Sequence, residues 1–189
     1  MKRLAVYCGS AMGVDPAFAE TARALGHRMA ERGIGLVYGG GRLGLMGVVA
    51  DAVMEAGGEA HGVIPQALVD LEVAHRGLTE LHFVADMHER KALMTELCDA
   101  FVAIPGGIGT LDELFEAWSW NALGYHAKPF ALLNVNGFWD GLIGFLDHAT
   151  ISGFMSPARR AQLLVATEIA DVIDQLDSAT AAAEKKMVW

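Results

Sequence analysis

The sequence is poor in features typical of membrane or nucleic-acid-binding proteins. Its two cysteines, Cys8 and Cys98, lie far apart and lack the spacing of metal ligands. No apolar run approaches the length of about 18–20 residues that a membrane span needs. Lys and Arg number 14 against 23 Asp and Glu, which gives a net charge of −9. This acidic balance argues against general nucleic-acid binding, because phosphate backbones require a basic face.

The motifs of several enzyme classes are also missing. There is no Walker A lysine, no Gly-x-Ser-x-Gly elbow and no Cys-x-x-Cys pair. The seven histidines include no i, i+4 pair and no His-Glu-x-x-His motif, so we expect no metal site. Lys2 and Arg3 lead directly into an apolar strand without a signal-peptide-like segment, and we therefore expect a cytoplasmic protein.

What the chain does have is a large apolar content. Of its 189 residues, 53% are apolar, and the mean hydropathy is +0.32. This length predicts a single domain over residues 1–189 with a full hydrophobic core. The apolar excess is high for a soluble monomer of this size, and we attribute it to a buried sheet and to the interface of a homodimer.

Short apolar strands alternate with helical segments along the whole chain. This alternation predicts an α/β fold, a doubly wound parallel sheet of about seven strands flanked by helices. The predicted strands lie near residues 3–8, 34–38, 59–64, 80–84, 100–104, 129–134 and 163–166. The predicted helices lie near residues 15–32, 44–56, 87–98, 110–123, 138–150 and 168–177. Ligands of such sheets bind beyond the carboxyl ends of the strands.

The most informative segment is Pro105-Gly106-Gly107-Ile108-Gly109-Thr110-Leu111-Asp112-Glu113. It joins an apolar strand to a helix, so its bare N–H groups and the helix dipole favour a bound phosphate. We call residues 105–109 the second glycine loop, because another glycine loop precedes it in the chain. Glu113 places an acid beside this phosphate-binding turn, which indicates chemistry on a nucleotide. The alternative is structural, because Thr110-x-x-Glu113 also has the spacing of a helix-capping box.

A first glycine loop, residues 39–47, follows the second strand and contains a Gly-x-Gly-x-x-Gly pattern. The acid expected about 20 residues later is Glu59, which begins a strand instead of ending one. We therefore favour a mononucleotide phosphate loop, with Gly40 and Gly41 contributing backbone N–H groups, over an NAD site. A purely structural glycine turn remains the alternative. Ser10, after the first strand, is either a ligand donor or part of a simple turn.

The third segment at a strand end begins with Asp86 and contains Arg90 and Lys91. Asp86 and Glu89 have capping-box spacing, which predicts that a helix starts at Asp86. Two cations near the positive end of a helix lose dipole stabilisation, up to about 1 kcal/mol each. An anionic ligand would reverse this cost, whereas a solvated face or an internal ion pair is the structural alternative.

Two of these motifs together, Met87-x-x-Arg90-Lys91 and Pro105-Gly-Gly-x-Gly-Thr-x-x-Glu113, closely resemble the Lonely Guy (LOG) family. The resemblance extends from Cys8-Gly9-Ser10 to beyond Lys128-Pro129. These proteins are cytokinin riboside 5′-monophosphate phosphoribohydrolases, many formerly labelled lysine decarboxylases. The resemblance implies a Rossmann-like fold, a dimer, and hydrolysis of N6-modified AMP to a free base and ribose 5-phosphate.

The resemblance also implies roles for individual residues. Arg90 and Glu113 match the catalytic pair of the family. Glu72 and Ser119 match two further positions that contact ligand, although the sequence around Glu72 lacks the family's Thr-Gly-Glu pattern. The remaining implied substrate-binding residues are Met87, Lys91, Gly106, Gly107, Ile108, Gly109, Thr110 and Asp112.

In the predicted mechanism, Glu113 stabilises an oxocarbenium-like ribose and activates water, while Arg90 fixes the ribose phosphate or hydroxyls. No metal or organic cofactor is required. A lysine decarboxylase would need a pyridoxal phosphate Schiff-base lysine and a larger fold. Two alternatives remain: a less selective purine 5′-nucleotide nucleosidase acting on AMP, and a nucleotide or molybdopterin carrier that cleaves nothing.

Overall fold

The computed structural model describes residues 1–69 and 73–187 of the chain. Its strands are β1 (Arg3–Tyr7), β2 (Gly35–Tyr38), β3 (Ala60–Pro65), β4 (Glu80–Val84), β5 (Ala100–Ala103), β6 (Phe130–Leu133) and β7 (Leu163–Ala166). Its helices are α1 (Pro16–Glu31), α2 (Gly44–Glu55), α3 (Met87–Leu97), α4 (Ile108–Ala122), α5 (Asp140–Ile151), α6 (Pro157–Arg160) and α7 (Ile169–Met187). Two short 3-10 turns cover Gln66–Leu68 and Val135–Gly137.

The predicted α/β fold is confirmed. The seven strands form one sheet in the order β4-β3-β2-β1-β5-β6-β7, and every neighbouring pair is parallel. The chain adds strands outward from β1 to β4 and then returns to place β5 on the other side of β1. This reversal is the switch point of a Rossmann-like sheet, where a crevice opens beyond the strand ends.

The sheet is covered on both faces, as the nearly all-apolar strands require. Along β1, Leu4 and Val6 face a core that also contains side chains of α1, α2 and α7. Ala5 and Tyr7 face the opposite core, built with side chains of α3, α4 and α5. Each large apolar side chain buried in these two layers contributes about 1.5–3 kcal/mol to folding.

The predicted elements are confirmed with small differences at their ends. Asp15 caps α1 by accepting from the N–H of Ala17, and Pro16 is the first helical residue. The last helix continues ten residues beyond its predicted end at 177, to Met187. Its extension is rich in alanine, the strongest helix former. The short helix α6 was not predicted, because four residues carry too little periodicity.

Among the described helices, none combines the length and the hydropathy that a membrane crossing requires.

Candidate active site

A cavity of about 480 Å³ lies beyond the carboxyl ends of β1 and β5, at the switch point of the sheet. The loop after β1, the beginnings of α2, α3 and α4, and the second glycine loop form its walls. Ten of the predicted site residues line it: Ser10, Met87, Arg90, Gly106, Gly107, Ile108, Gly109, Thr110, Asp112 and Glu113. Segments that are distant in the sequence therefore meet at the predicted edge.

Other predicted site residues lie elsewhere. Gly40, Gly41 and Lys91 do not line this cavity. Ser119 instead lines a separate shallow pocket with Trp118 and neighbouring side chains. Glu72 lies outside the described residues.

The Arg90 guanidinium is held by two main-chain carbonyl groups, one within β3 and one just after β2. Its Nε donates to the oxygen of Val63 over 3.1 Å, and its Nη2 donates to the oxygen of Gly39 over 2.7 Å. The residue is only 3% exposed, although it lines the cavity. A side chain at Gly39 would collide with the guanidinium, so glycine at this position makes room for the arginine. The arginine is thus fixed in one orientation at the cavity wall.

The helix that carries Arg90 begins where the capping pattern predicts. Asp86 Oδ1 accepts from the N–H groups of His88 and Glu89, over 2.8 and 2.9 Å. Glu89 reaches back to the N–H of Ala85 over 2.8 Å. The capping arrangement is therefore confirmed, with the return bond one residue further out than in the standard capping box.

The capping alternative for Glu113 is wrong. Helix α4 begins at Ile108 with Gly107 as its N-cap, two residues before the predicted start, and no side chain caps it. Thr110 is consequently the third helical residue and is buried, so it is not the N-cap partner that a capping box requires. Glu113 lies one turn further along α4 and lines the cavity.

The second glycine loop leaves its main chain open toward the cavity. A Cβ atom at Gly107 or Gly109 would meet no other atom within 4 Å. Both glycines line the cavity, and the first turn of α4 has no capping side chain. Packing within the protein does not require glycine at either position. The free space allows a ligand to approach the N–H groups closely, as phosphate-binding turns do.

Glu113 also influences the ionisable groups at the end of β1. Burial, and then the negative charge of Glu113, raises the pKa of the Cys8 thiol. Burial raises the pKa of the Tyr7 phenol well above its usual value, and charges at Cys98 and Glu113 add to the effect. Both groups therefore remain protonated and neutral beside the cavity.

Lys91 is engaged by two carboxylates of α4. Its Nζ donates to Asp112 Oδ2 over 3.1 Å and forms a short contact with Glu116 Oε2. Burial lowers the pKa of Lys91, but the hydrogen bonds with Glu116 and Asp112 outweigh it and raise the pKa overall. The internal ion pair, weighed as an alternative for this lysine, is therefore present, and it joins α3 to α4.

Sequence reasoning missed the apolar side of the cavity. This side contains Met12, Phe18, Leu68 and Phe138, and the two aromatic rings meet edge to face with centroids 5.5 Å apart. They come from the loop after β1, from α1, and from the segments after β3 and β6. No local motif marks them, but all except Phe18 follow the carboxyl end of a strand. An apolar wall facing a polar glycine loop suits a ligand with a flat hydrophobic part and an anionic part.

The match to a known protein family identifies the class of protein to which this chain belongs. The family described as "Possible lysine decarboxylase" matches residues 46–176, more than half of the chain. The fold is shared with the molybdenum cofactor carrier protein of Chlamydomonas reinhardtii, at a TM-score of 0.72 and 22% identity, with 95% of this chain and 98% of that chain covered. At this identity the likeness concerns the fold alone.

Sequence relatives then narrow the assignment. The cytokinin riboside 5′-monophosphate phosphoribohydrolase of Rhodococcoides fascians is 45% identical over 178 residues, 94% of this chain and 90% of the relative. The Arabidopsis thaliana enzyme LOG7, of the same name, is 44% identical over 191 residues and covers 100% of this chain and 88% of the relative. The chain belongs to the LOG family of phosphoribohydrolases, which confirms the resemblance seen in its motifs.

Proposed function

We propose that this protein hydrolyses the N-glycosidic bond of cytokinin riboside 5′-monophosphates and releases the free base and ribose 5-phosphate. The observation that carries the proposal is the meeting of Arg90, Glu113 and the open second glycine loop around one cavity. The relatives at 44–45% identity carry the name of this activity. The protein is therefore an enzyme, an N-glycosyl hydrolase.

Glu113 is the catalytic carboxylate in this proposal. Cleavage of the bond between ribose and base develops positive charge on the sugar ring, and a carboxylate beside the ring stabilises it. The same carboxylate accepts a proton from the attacking water, a role that typically contributes about 10²- to 10⁴-fold in rate. Cys8 and Tyr7 remain neutral next to it, so they do not compete as anions for the developing positive charge.

Arg90 and the second glycine loop bind the substrate's anionic part. The main-chain bonds to Gly39 and Val63 keep the guanidinium charge at the wall instead of in solvent. The N–H groups at the start of α4 have no capping side chain, and the space beside Gly107 and Gly109 is open to a ligand. Binding energy from the 5′-phosphate, which does not react, orients the bond that does.

The apolar wall of the cavity favours the hydrolase with an N6-modified base over a nucleosidase specific for plain AMP. Met12 and Phe138 are partly exposed at this wall, where a hydrophobic substituent would bury them. Chromatography of parallel incubations with AMP and isopentenyl-AMP separates the two substrates. Equal turnover of both would leave the general nucleosidase as the better description.

A lysine decarboxylase does not fit this cavity. Schiff-base chemistry needs a lysine at the reacting centre, and none of the described residues that line the cavity is a lysine. Lys91 is held by Asp112 and Glu116, while Lys128 donates to main-chain oxygens of Thr95 and Cys98. Lys91 and Lys128 are therefore committed to structural contacts.

The substitution Glu113→Gln tests the catalytic assignment. It preserves size and removes the negative charge, so the activity on isopentenyl-AMP should fall by at least about 100-fold while the fold remains intact. Nucleotide binding should persist, because main-chain groups of the second glycine loop supply it. Activity close to that of the unmodified protein would refute the role of Glu113.

Glu55→Gln is the matched control for this experiment. It removes the same charge from an exposed position of α2 that does not line the cavity. Its activity should stay within about twofold of the unmodified protein, since exposed ion pairs contribute little.

We further propose that the enzyme is a homodimer. Large apolar side chains of α5 and the following turn are exposed: Phe145 by 63%, Ile151 by 85% and Phe154 by 92%. Leu123 and Tyr125, after α4, are exposed by 71% and 75%. Light scattering should give twice the 20.2 kDa chain mass at micromolar concentration.

The cytoplasmic location and the single-domain organisation stay predictions from the sequence.

A further inference from the structure

A second group of ionisable side chains lies at the edge of the sheet, on β3 and β4. His61 pairs in register with Glu80, and His82 is two residues further along β4. Because alternate residues of a strand project to the same face, these three side chains lie together on one face. None of them lines the cavity of the candidate active site.

The spacing of the donor atoms suits one small cation. Glu80 Oε2 lies 3.4 Å from His61 Nδ1 and 3.4 Å from His82 Nε2. One ligand atom from each of the three side chains lies within 4.8 Å of the others. Tetrahedral zinc, with bonds of about 2.0–2.1 Å, places neighbouring ligand atoms about 3.3–3.4 Å apart. The two distances to the carboxylate oxygen therefore match the edges of such a tetrahedron.

His61 supplies a separate observation that points to a ligand. Its side chain is only 6% exposed, and neither ring nitrogen has a hydrogen-bond partner among the described residues. The buried Nε2 of His82 also has none. A buried polar atom without a partner costs about 1–3 kcal/mol, so these nitrogens favour any species that satisfies them.

The surroundings of His61 resemble the outer shell of metal sites. Glu59 Oε2 lies 3.8 Å from His61 Nε2, on the opposite side of the ring from Nδ1. In metal sites a carboxylate commonly accepts the second N–H of a ligating histidine, which fixes the tautomer and strengthens the metal bond. Glu59 is placed to do this when Nδ1 binds a cation.

We propose that His61 Nδ1, Glu80 Oε2 and His82 Nε2 bind one Zn²⁺ ion, with Glu59 orienting His61. Two imidazoles and one carboxylate form a borderline donor set that suits zinc and excludes the oxygen-only coordination of Mg²⁺ or Ca²⁺. The site joins β4, the outermost strand, to β3. It is independent of the proposed hydrolase reaction, which needs no metal.

Titration of the untagged protein with zinc tests the proposal. Calorimetry should give one ion per chain, and Co²⁺ in place of zinc should show the visible absorption of a tetrahedral N/O site. Zinc should also raise the melting temperature, because it binds the folded state. Failure of the unmodified protein to bind zinc would overturn the proposal, whatever the outcome of the activity assays.

Three variants and one control locate the ion. His82→Gln and Glu80→Gln each remove a partly exposed ligand, so the fold should persist while zinc affinity falls by more than about 100-fold. Glu59→Gln should weaken binding by about 10- to 100-fold, as loss of an outer-shell partner does. The control is His27→Gln, which changes a partly exposed histidine near Glu55, outside the proposed site, and it should leave zinc binding unchanged. Equal zinc affinity in all four variants would refute the site.

Discussion

The two glycine loops have similar compositions and different structural roles. In the first loop, side chains at Gly39 and Gly44 would collide with the Arg90 guanidinium and with the main chain at Ser10. In the second loop, side chains at Gly107 and Gly109 would extend into empty space. The first loop needs glycine so that the protein can pack against itself. In the second loop, packing requires glycine at Gly106, where a side chain would collide with Thr110 and the main chain of Gly9. Packing does not explain glycine at Gly107 and Gly109, so a bound ligand is the better reason for these two positions.

The sequence predicts phosphate binding by both loops, but this contrast supports direct phosphate binding by the second loop only. Gly40 and Gly41 do not line the cavity, whereas all five residues of the second loop do: Pro105, Gly106, Gly107, Ile108 and Gly109. We therefore expect the first loop to act chiefly through the position it gives Arg90. Direct phosphate contacts from Gly40 and Gly41 stay a prediction.

Removal of the phosphate from the substrate should have the largest effect. If the second loop is built for this group, isopentenyladenosine should be hydrolysed at least about 10³-fold less efficiently than its 5′-monophosphate, because remote binding energy is lost. Steady-state kinetics with both substrates measures this ratio. Similar values of kcat/KM would show that the open glycines serve some other purpose.

Substitution in the first loop should damage both activity and stability. In Gly39→Ala the new methyl group displaces the Arg90 guanidinium from its two carbonyl partners, so we expect a loss of activity of about 100-fold. Overpacking of this kind also costs about 1–3 kcal/mol of folding free energy. Paired activity and melting measurements test this, and a stable, fully active variant would contradict the packing role of Gly39.

Substitution in the second loop should affect ligand binding alone. Gly109→Ala adds a methyl group that the free protein accommodates, and alanine favours the helix, so the melting temperature should stay equal or rise. KM for the nucleotide should rise by about tenfold, because the methyl group occupies ligand space. The matched control is Gly144→Ala in α5, another glycine with no atom near its Cβ position. It should raise stability equally and leave KM unchanged.

Lys91 should show the smallest effect on catalysis. Lys91→Met leaves Asp112 and Glu116 without their cation, so the melting temperature should fall by a few degrees while kcat changes less than threefold. Because the pKa of Lys91 is raised in the folded protein, the stability difference between the unmodified protein and this variant should depend on pH. The difference should be fully present below the unfolded-state pKa of about 10.4 and should disappear as pH rises through the higher folded-state pKa. A large rise in KM instead would assign Lys91 to the substrate.

Much of the fold could be predicted because the relevant signals are local. Apolar runs such as Ala100-Phe101-Val102-Ala103 mark strands, and the Asp86 cap marks the start of α3. The polar side of the cavity could also be predicted, because parallel strands bring their carboxyl ends to one edge of the sheet. Glu113 shows the limit of local patterns: its spacing from Thr110 fits a capping box, but the N-cap is Gly107, three residues before the Thr110 that this pattern requires.

The features that sequence reasoning missed depend on register and packing between distant segments. Phe18 and Phe138 meet only after α1 and the β6 end are placed on the sheet. His61 and Glu80 become neighbours through the pairing of β3 with β4, and a search for histidines at helical spacing cannot detect them. Strand register is fixed by which faces are buried, so such clusters become visible only in three dimensions.

The neutral thiol of Cys8 has a practical consequence for handling this enzyme. Thiolates react with oxidants and alkylating reagents and thiols scarcely do, so a cysteine whose ionisation is suppressed by burial and by a neighbouring carboxylate should be chemically inert. Cys98 is also buried, with its pKa raised to about 12. Neither peroxide nor iodoacetamide should inactivate the folded protein at neutral pH, although one cysteine lines the cavity itself.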